Sequence, residues 1–155
     1  MKAAYITLGC KVNQYDTDAM CELMEKAGYE TVDFSEVADV YVINTCTVTN
    51  IADRKSRQMI RRAADANPDA VVCVTGCLAQ READAVKQIE GVDAVLGVNN
   101  RHLIVDIVAK ARENKGISDV RDISKEKCYE KLSISSSSRT RAHIKIEDGC
   151  DNFCS

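Results

Sequence analysis

The chain lacks any excess of basic charge: across 155 residues, 21 Lys and Arg stand against 24 Asp and Glu, a formal net charge of −3. No global positive field is present to draw nucleic acid, so any RNA contact has to use a local patch. No stretch approaches the roughly 20 apolar residues of a membrane span, which predicts a soluble protein with no membrane partner. Lys2 and the apolar run from Ala3 to Leu8, closing on Gly9-Cys10, faintly resemble a lipoprotein signal. That run is too short for the apolar region of a signal peptide, and Lys11 follows the cysteine at once. Proline is nearly missing, and the single Pro68 reads as a helix stop. Eight cysteines are too few for a disulfide scaffold and lie in apolar runs instead of between turns, which points to a reducing compartment. A compact C-x-x-C pair is also missing, which argues against a thiol redox protein.

Three cysteines each close a run of strand-like residues: Tyr5-Ile6-Thr7-Leu8-Gly9-Cys10, Val40-Tyr41-Val42-Ile43-Asn44-Thr45-Cys46 and Val71-Val72-Cys73-Val74-Thr75-Gly76-Cys77. Consecutive members lie one strand-plus-helix unit apart, on the order of 30 residues. In a parallel sheet all three thiols would therefore sit beyond the same carboxyl edge, where open α/β sheets place their ligands. A cysteine ending a buried strand is commonly a small core residue. Three recurrences at one place, two of them as Gly-Cys, favour a site, because glycine lets the backbone turn close to a bound group. Three soft thiolates suit an iron–sulfur cluster or a zinc ion, and three instead of four leaves one coordination position open.

Periodicity predicts a strand at Ala3 to Leu8, then a helix from Tyr15 to Ala27 with Met20, Leu23, Met24 and Ala27 on one stripe and Gly28 as its stop. Cys21 lies beside that stripe and reads as core. Strands follow at Glu30 to Asp33 and Asp39 to Asn44, and Asn50 reads as the N-cap of a helix running to Ala66. The strand Ala70 to Thr75 is apolar on both faces, as expected inside a parallel sheet, with Cys73 packing within it. A helix over Gln80 to Ile89, a strand at Ala94 to Val98 and a helix at His102 to Ala111 complete the alternation. The expected fold is an α/β three-layer sandwich over 1–112 with a mainly parallel, Rossmann- or flavodoxin-like sheet.

From Glu113 the character turns polar, through the run Ser133-Ile134-Ser135-Ser136-Ser137-Ser138, and 113–138 reads as a linker carrying an incidental thiol at Cys128. The tail is expected to be loosely held. An alternating strand, Ala142-His143-Ile144-Lys145-Ile146, then runs into Glu147-Asp148-Gly149-Cys150-Asp151-Asn152-Phe153-Cys154-Ser155.

The C-x3-C spacing of Cys150 and Cys154 resembles the first two cysteines of the C-x3-C-x2-C motif of radical S-adenosylmethionine enzymes. Together with Gly9-Cys10, Asn44-Thr45-Cys46 and Gly76-Cys77, it makes the whole chain similar to the methylthiotransferase family. Thr7-Leu8-Gly9-Cys10-Lys11-Val12-Asn13-Gln14-Tyr15-Asp16 and Asn44-Thr45-Cys46-Thr47-Val48-Thr49 are similar to the branch acting on threonylcarbamoyladenosine of tRNA. Other branches act on isopentenyladenosine or on a ribosomal protein.

The resemblance implies two [4Fe–4S] clusters in a longer enzyme, an auxiliary one on Cys10, Cys46 and Cys77 and a radical one that includes Cys150 and Cys154. It implies S-adenosylmethionine as cofactor, tRNA as substrate, a cellular reductant, and addition of a methylthio group to adenine C2 at position 37 of tRNA. It also implies that residues 139–155 open a truncated radical S-adenosylmethionine domain, whose third cysteine would fall just past Ser155, so that the chain alone is inactive. A structural zinc- or ligand-binding module without catalysis stands as the alternative.

Asn44 and Thr45 are candidates to tune a cluster by hydrogen bonds, or are simply polar strand ends. Arg54, Lys55, Arg57, Arg61 and Arg62, on the helix after Cys46, form either a solvated face or a phosphate-contacting patch. His102 and His143 read as a helix-start residue and a strand residue.

Overall fold

A computed structural model describes residues 1–46, 50–123, 130 and 132. The chain alternates β1 (Lys2–Thr7), α1 (Lys11–Lys26), β2 (Glu30–Val32), β3 (Val40–Thr45), α2 (Asn50–Ala66), β4 (Val71–Gly76), α3 (Cys77–Arg81), α4 (Ala83–Lys87), β5 (Ala94–Leu96), a 3-10 turn (Arg101–Leu103), α5 (Ile104–Glu113) and β6 (Ile117–Asp119). The six strands form one sheet in the order β2-β1-β3-β4-β5-β6, every pair parallel. The first five strands follow the flavodoxin-like order, so the α/β layered fold expected from the sequence is the one observed.

Period-two alternation sends the strand side chains to two cores. Tyr41, Ile43, Val72 and Val74 pack with Met59, Ile60 and Ala63 of α2 and with Leu78 and Ala79 of α3. Val40, Val42, Val71 and Cys73 pack on the other face with Met20 and Met24 of α1 and with Ile104, Ile107, Val108 and Ala111 of α5. All six residues of β3 and of β4 are buried, which explains why these two strands read as unbroken apolar runs. Burying a side chain the size of Ile60, which is wholly buried, contributes about 1.5–3 kcal/mol. Cys73 is wholly buried in the second core, as expected.

α1 buries Asn13, Asp16, Thr17, Met20 and Met24 along one stripe. It ends where Gly28, at φ 90°, lets the Tyr29 amide reach back to the Met24 carbonyl at 3.0 Å. Cys21 does not face the core. One residue is a turn of 100° in a helix, which carries Cys21 off the Met20 stripe to a half-buried place beside Thr31, at 3.1 Å from its hydroxyl.

Two further departures concern the ends of elements. The helix expected over 80–89 is two short ones, α3 and α4, broken where Glu82 adopts φ −131° and ψ 45°. The sheet also continues past residue 112: β6, within the stretch read as linker, pairs with β5 through Ala94–Ile117, Val95–Ser118 and Leu96–Asp119. Glu130 is anchored as well, its carboxylate accepting from the His102 amide at 2.6 Å. A wholly loose tail is therefore not what is seen at these residues. Cys128, His143, the strand Ala142 to Ile146, Cys150 and Cys154 lie outside the described residues. No helix among the described residues is long and apolar enough to cross a membrane.

Candidate functional site

The strand order reverses between β1 and β3: the chain leaves β1 through α1 toward β2 on one side, and leaves β3 through α2 toward β4 on the other. At such a switch point the connections part and leave a crevice beyond the carboxyl ends of the strands. Cys10 follows β1, Cys46 follows β3 and Cys77 follows β4, so the topology carries all three thiols to that edge.

Cys10 is the N-cap of α1, with extended backbone at φ −79° and ψ 178°. A serine or aspartate there would bond the first-turn amides; Cys10 makes no such cap and is exposed. Its Sγ lies 3.6 Å from Asn13 Oδ1. Cys46 is buried at 6% exposure. Cys77, the first residue of α3, is exposed as a residue. Burial of its sulfur pushes the Cys77 thiol up, the neighbouring Cys46 and Cys10 push it further, and Arg101 pulls it down. Cys46 and Cys10 thus lie close enough to Cys77 to act on its charge.

The glycines before Cys10 and Cys77 are there for close approach. Gly76 sits at φ +95°, and a Cβ on it would overlap the Thr45 carbonyl and Asn44 Oδ1. A Cβ on Gly9 would lie 2.7 Å from Asn13 Nδ2 and 3.1 Å from Cys46 Cβ. The loops that carry the cysteines are thus packed on one another with no room for a methyl group.

Asn44 and Thr45 lock strand ends together. Asn44 Nδ2 donates to the Asn13 carbonyl at 2.8 Å and to Thr17 Oγ1 at 3.0 Å, and Thr45 Oγ1 donates to the Thr75 carbonyl at 2.6 Å. Asn13 Nδ2 returns a bond to the Thr45 carbonyl at 3.0 Å. These bonds fix the first turn of α1 to the end of β3, and with it Cys10 to Cys46.

A cavity of about 830 Å³ opens on this edge, lined by Cys10, Cys77, Asn13, Asp16 and Arg101 among others. The sequence singles out neither Arg101 nor, beyond its place in the stretch from Thr7 to Asp16, Asp16. Arg101 Nη1 lies 3.1 Å from Asp16 Oδ2 and 3.5 Å from Glu130 Oε2, in a pair of side chains 5% and 1% exposed for Arg101 and Asp16. His102, expected only as a helix-start residue, adds its Nδ1 to Glu130 Oε1 at 2.9 Å.

The donor chemistry suits a soft, anionic metal group: two accessible thiols, a third shielded from water, and a buried cation beside them. Among the described residues no three His, Cys, Asp or Glu are gathered to hold a single metal ion. On α2, Arg54, Lys55, Arg61 and Arg62 are exposed, while Arg57 pairs with Asp53 at 3.1 Å. That helix presents a solvated basic face, with Met59, Ile60 and Ala63 turned inward.

The profile of the family described as "Uncharacterized protein family UPF0004" matches residues 2–97, the span that contains β1 to β5 and all three crevice cysteines. Over 153 residues the chain is 51% identical to the threonylcarbamoyladenosine tRNA methylthiotransferase MtaB of Bacillus subtilis, covering 97% of this chain and 34% of that protein. The MtaB of Aquifex aeolicus is 40% identical over 99% of this chain and 38% of its own length. The tRNA-2-methylthio-N(6)-dimethylallyladenosine synthase of Chromobacterium violaceum is 36% identical over 100% of this chain and 36% of its own. The chain thus spans about a third of the length of the curated relatives it matches. With more than half of its residues under that profile, including the strands and cysteines that shape the crevice, the chain belongs to protein family UPF0004.

Proposed function

We propose that this chain is the part of a tRNA methylthiotransferase that holds the auxiliary [4Fe–4S] cluster, with Cys10, Cys46 and Cys77 as its thiolate ligands. What carries the reading is the delivery of three cysteines to one switch-point crevice, in a chain 51% identical to a protein named for this reaction. A single zinc ion needs its thiolates within one shell of about 2.3 Å bonds, whereas cluster ligands sit on separate irons. Cys10, Cys46 and Cys77 would hold the auxiliary cluster, which would supply an iron site for the added sulfur, and Cys150 and Cys154 would help hold a second cluster that would supply reducing power toward S-adenosylmethionine.

The rest of the work falls to the chain's own residues. Cys46 is buried against Gly9, and Cys10 and Cys77 line the accessible cavity. The Asn13–Asn44 bonds hold these positions by themselves, so ordering them need not be driven by ligation. The substrate is threonylcarbamoyladenosine at position 37 of tRNA, and the hydrogen on adenine C2 is replaced by a methylthio group. S-adenosylmethionine and a cellular reductant are the other partners, and the work is cytoplasmic.

The test is genetic and chemical: delete the encoding gene and measure modified nucleosides in total tRNA by mass spectrometry. The reading expects 2-methylthio-threonylcarbamoyladenosine to vanish and its unmethylthiolated precursor to accumulate. Loss of the isopentenyl derivative instead would move the substrate to the other branch, and no change in either would overturn the function.

A further inference from the structure

We propose that Arg101 is an electrostatic positioning residue of the cysteine crevice: a fixed, buried cation whose free Nε serves the anionic group held by Cys10, Cys46 and Cys77. This rests on the cluster reading above. Arg101 opens the 3-10 turn after β5 and lines the same cavity as Cys10 and Cys77. One edge of its guanidinium is already held, because Nη1 faces Asp16 of α1 at 3.1 Å and Glu130 at 3.5 Å. The Nε atom is buried and has no hydrogen-bond partner among the described residues.

A guanidinium carries five N–H donors in a rigid fork and stays charged at every working pH. Leaving one of those donors buried and unmet is costly, and such a donor calls for a functional role, a water or an ion to explain it. The neighbourhood supplies a reason. Three thiolates around an iron–sulfur core sum to a net anion in a partly dry crevice, where a cation that cannot deprotonate offsets charge at low effective dielectric.

Potential is the readout, because a merely structural arginine would alter stability without moving it. The whole chain is reconstituted anaerobically with iron and sulfide and titrated with dithionite in the presence of redox mediators. Reduction moves one electron from dithionite into the crevice and adds one negative charge there, which Arg101 stabilises. Arg101→Gln should lower the reduction equilibrium constant about tenfold, a fall of about 59 mV for a one-electron couple, with iron per chain near the parent value. Arg101→Lys keeps the charge and the Asp16 pairing but withdraws the Nε–H, and a fall of about threefold is expected.

Should Arg101→Gln fail to fold, Arg101→Lys decides alone. Unchanged potentials in every variant that folds and carries its cluster would overturn the role given to Arg101. A parent chain that takes up no cluster would instead overturn the reading beneath it.

Discussion

Asn13 and Asn44 are bound to each other's neighbourhoods in both directions: Asn44 Nδ2 donates to the Asn13 carbonyl at 2.8 Å, and Asn13 Nδ2 donates to the Thr45 carbonyl at 3.0 Å. Both residues are buried, at 0% for Asn44 and 4% for Asn13. The pair ties the helix that starts after Cys10 to the strand that ends before Cys46. Replacing Asn44 with Ala leaves the Asn13 carbonyl and the Thr17 hydroxyl without this donor. The expected loss is about 1–3 kcal/mol, read from urea denaturation of the metal-free chain. A loss under about 0.5 kcal/mol, the range of an ordinary surface substitution, would contradict the clamp.

Glycine substitutions at the crevice separate close approach from backbone strain. Gly76→Ala has to find room against Thr45 and Asn44 at a positive φ, whereas Gly28, also at φ +90°, meets nothing within 4 Å. Gly28→Ala should therefore cost about 1 kcal/mol, for strain alone, and leave the cysteines in place. Gly76→Ala should cost several-fold more and impair metal uptake through displacement of Cys77. Equal effects of the two in denaturation and iron loading would show that the crowding around Gly76 is harmless.

Thiol alkylation at pH 8, followed by mass spectrometry of the metal-free chain, should rank the cysteines by environment. Cys10 is exposed and should label first, Cys77 more slowly, because burial and the neighbouring thiols disfavour its thiolate. Cys73, wholly buried, should label only on unfolding. Labelling of Cys73 as fast as Cys10 would mean that the sheet opens readily at β4.

Much of this was legible beforehand because β3 and β4 are buried on both faces, and unbroken runs such as Val40 to Ile43 need no context to read. The cysteine positions were legible for the same reason, as each follows such a run. β6 was not, since Ile117-Ser118-Asp119 is a strand only through pairing with β5. Arg101 was hidden more deeply. Its buried placement comes from Asp16, 85 positions earlier, and from Glu130, 29 positions later, which no local pattern reveals. The strand-end roles of Asn44 and Thr45 turned on direction: their donors point along the sheet edge to Asn13, Thr17 and Thr75.

Alkaline stability should depend on Cys73, whose thiol is pushed from 9.0 up to about 12, first by burial and then by the Asp93 charge. Between those values the folded state keeps a proton that the unfolded state has released, so stability falls as pH rises through that window. Cys73→Ala removes the titrating group. It should cost stability at pH 7 through lost packing, and the gap to the parent should narrow from pH 9 upward. A gap that stays constant to pH 11 would refute the assignment.

The most direct measurement is iron and acid-labile sulfide per chain after anaerobic reconstitution, with visible absorption, for the parent and for Cys10→Ala, Cys46→Ala, Cys77→Ala and Cys21→Ala. Uptake of ~4 iron per parent chain is expected, as one [4Fe–4S] group requires. Iron and absorption should collapse in each of the three crevice variants, with Cys21→Ala unchanged. A parent that takes zinc in preference to a cluster, or a cluster that survives loss of Cys10, Cys46 or Cys77 undiminished, would contradict it.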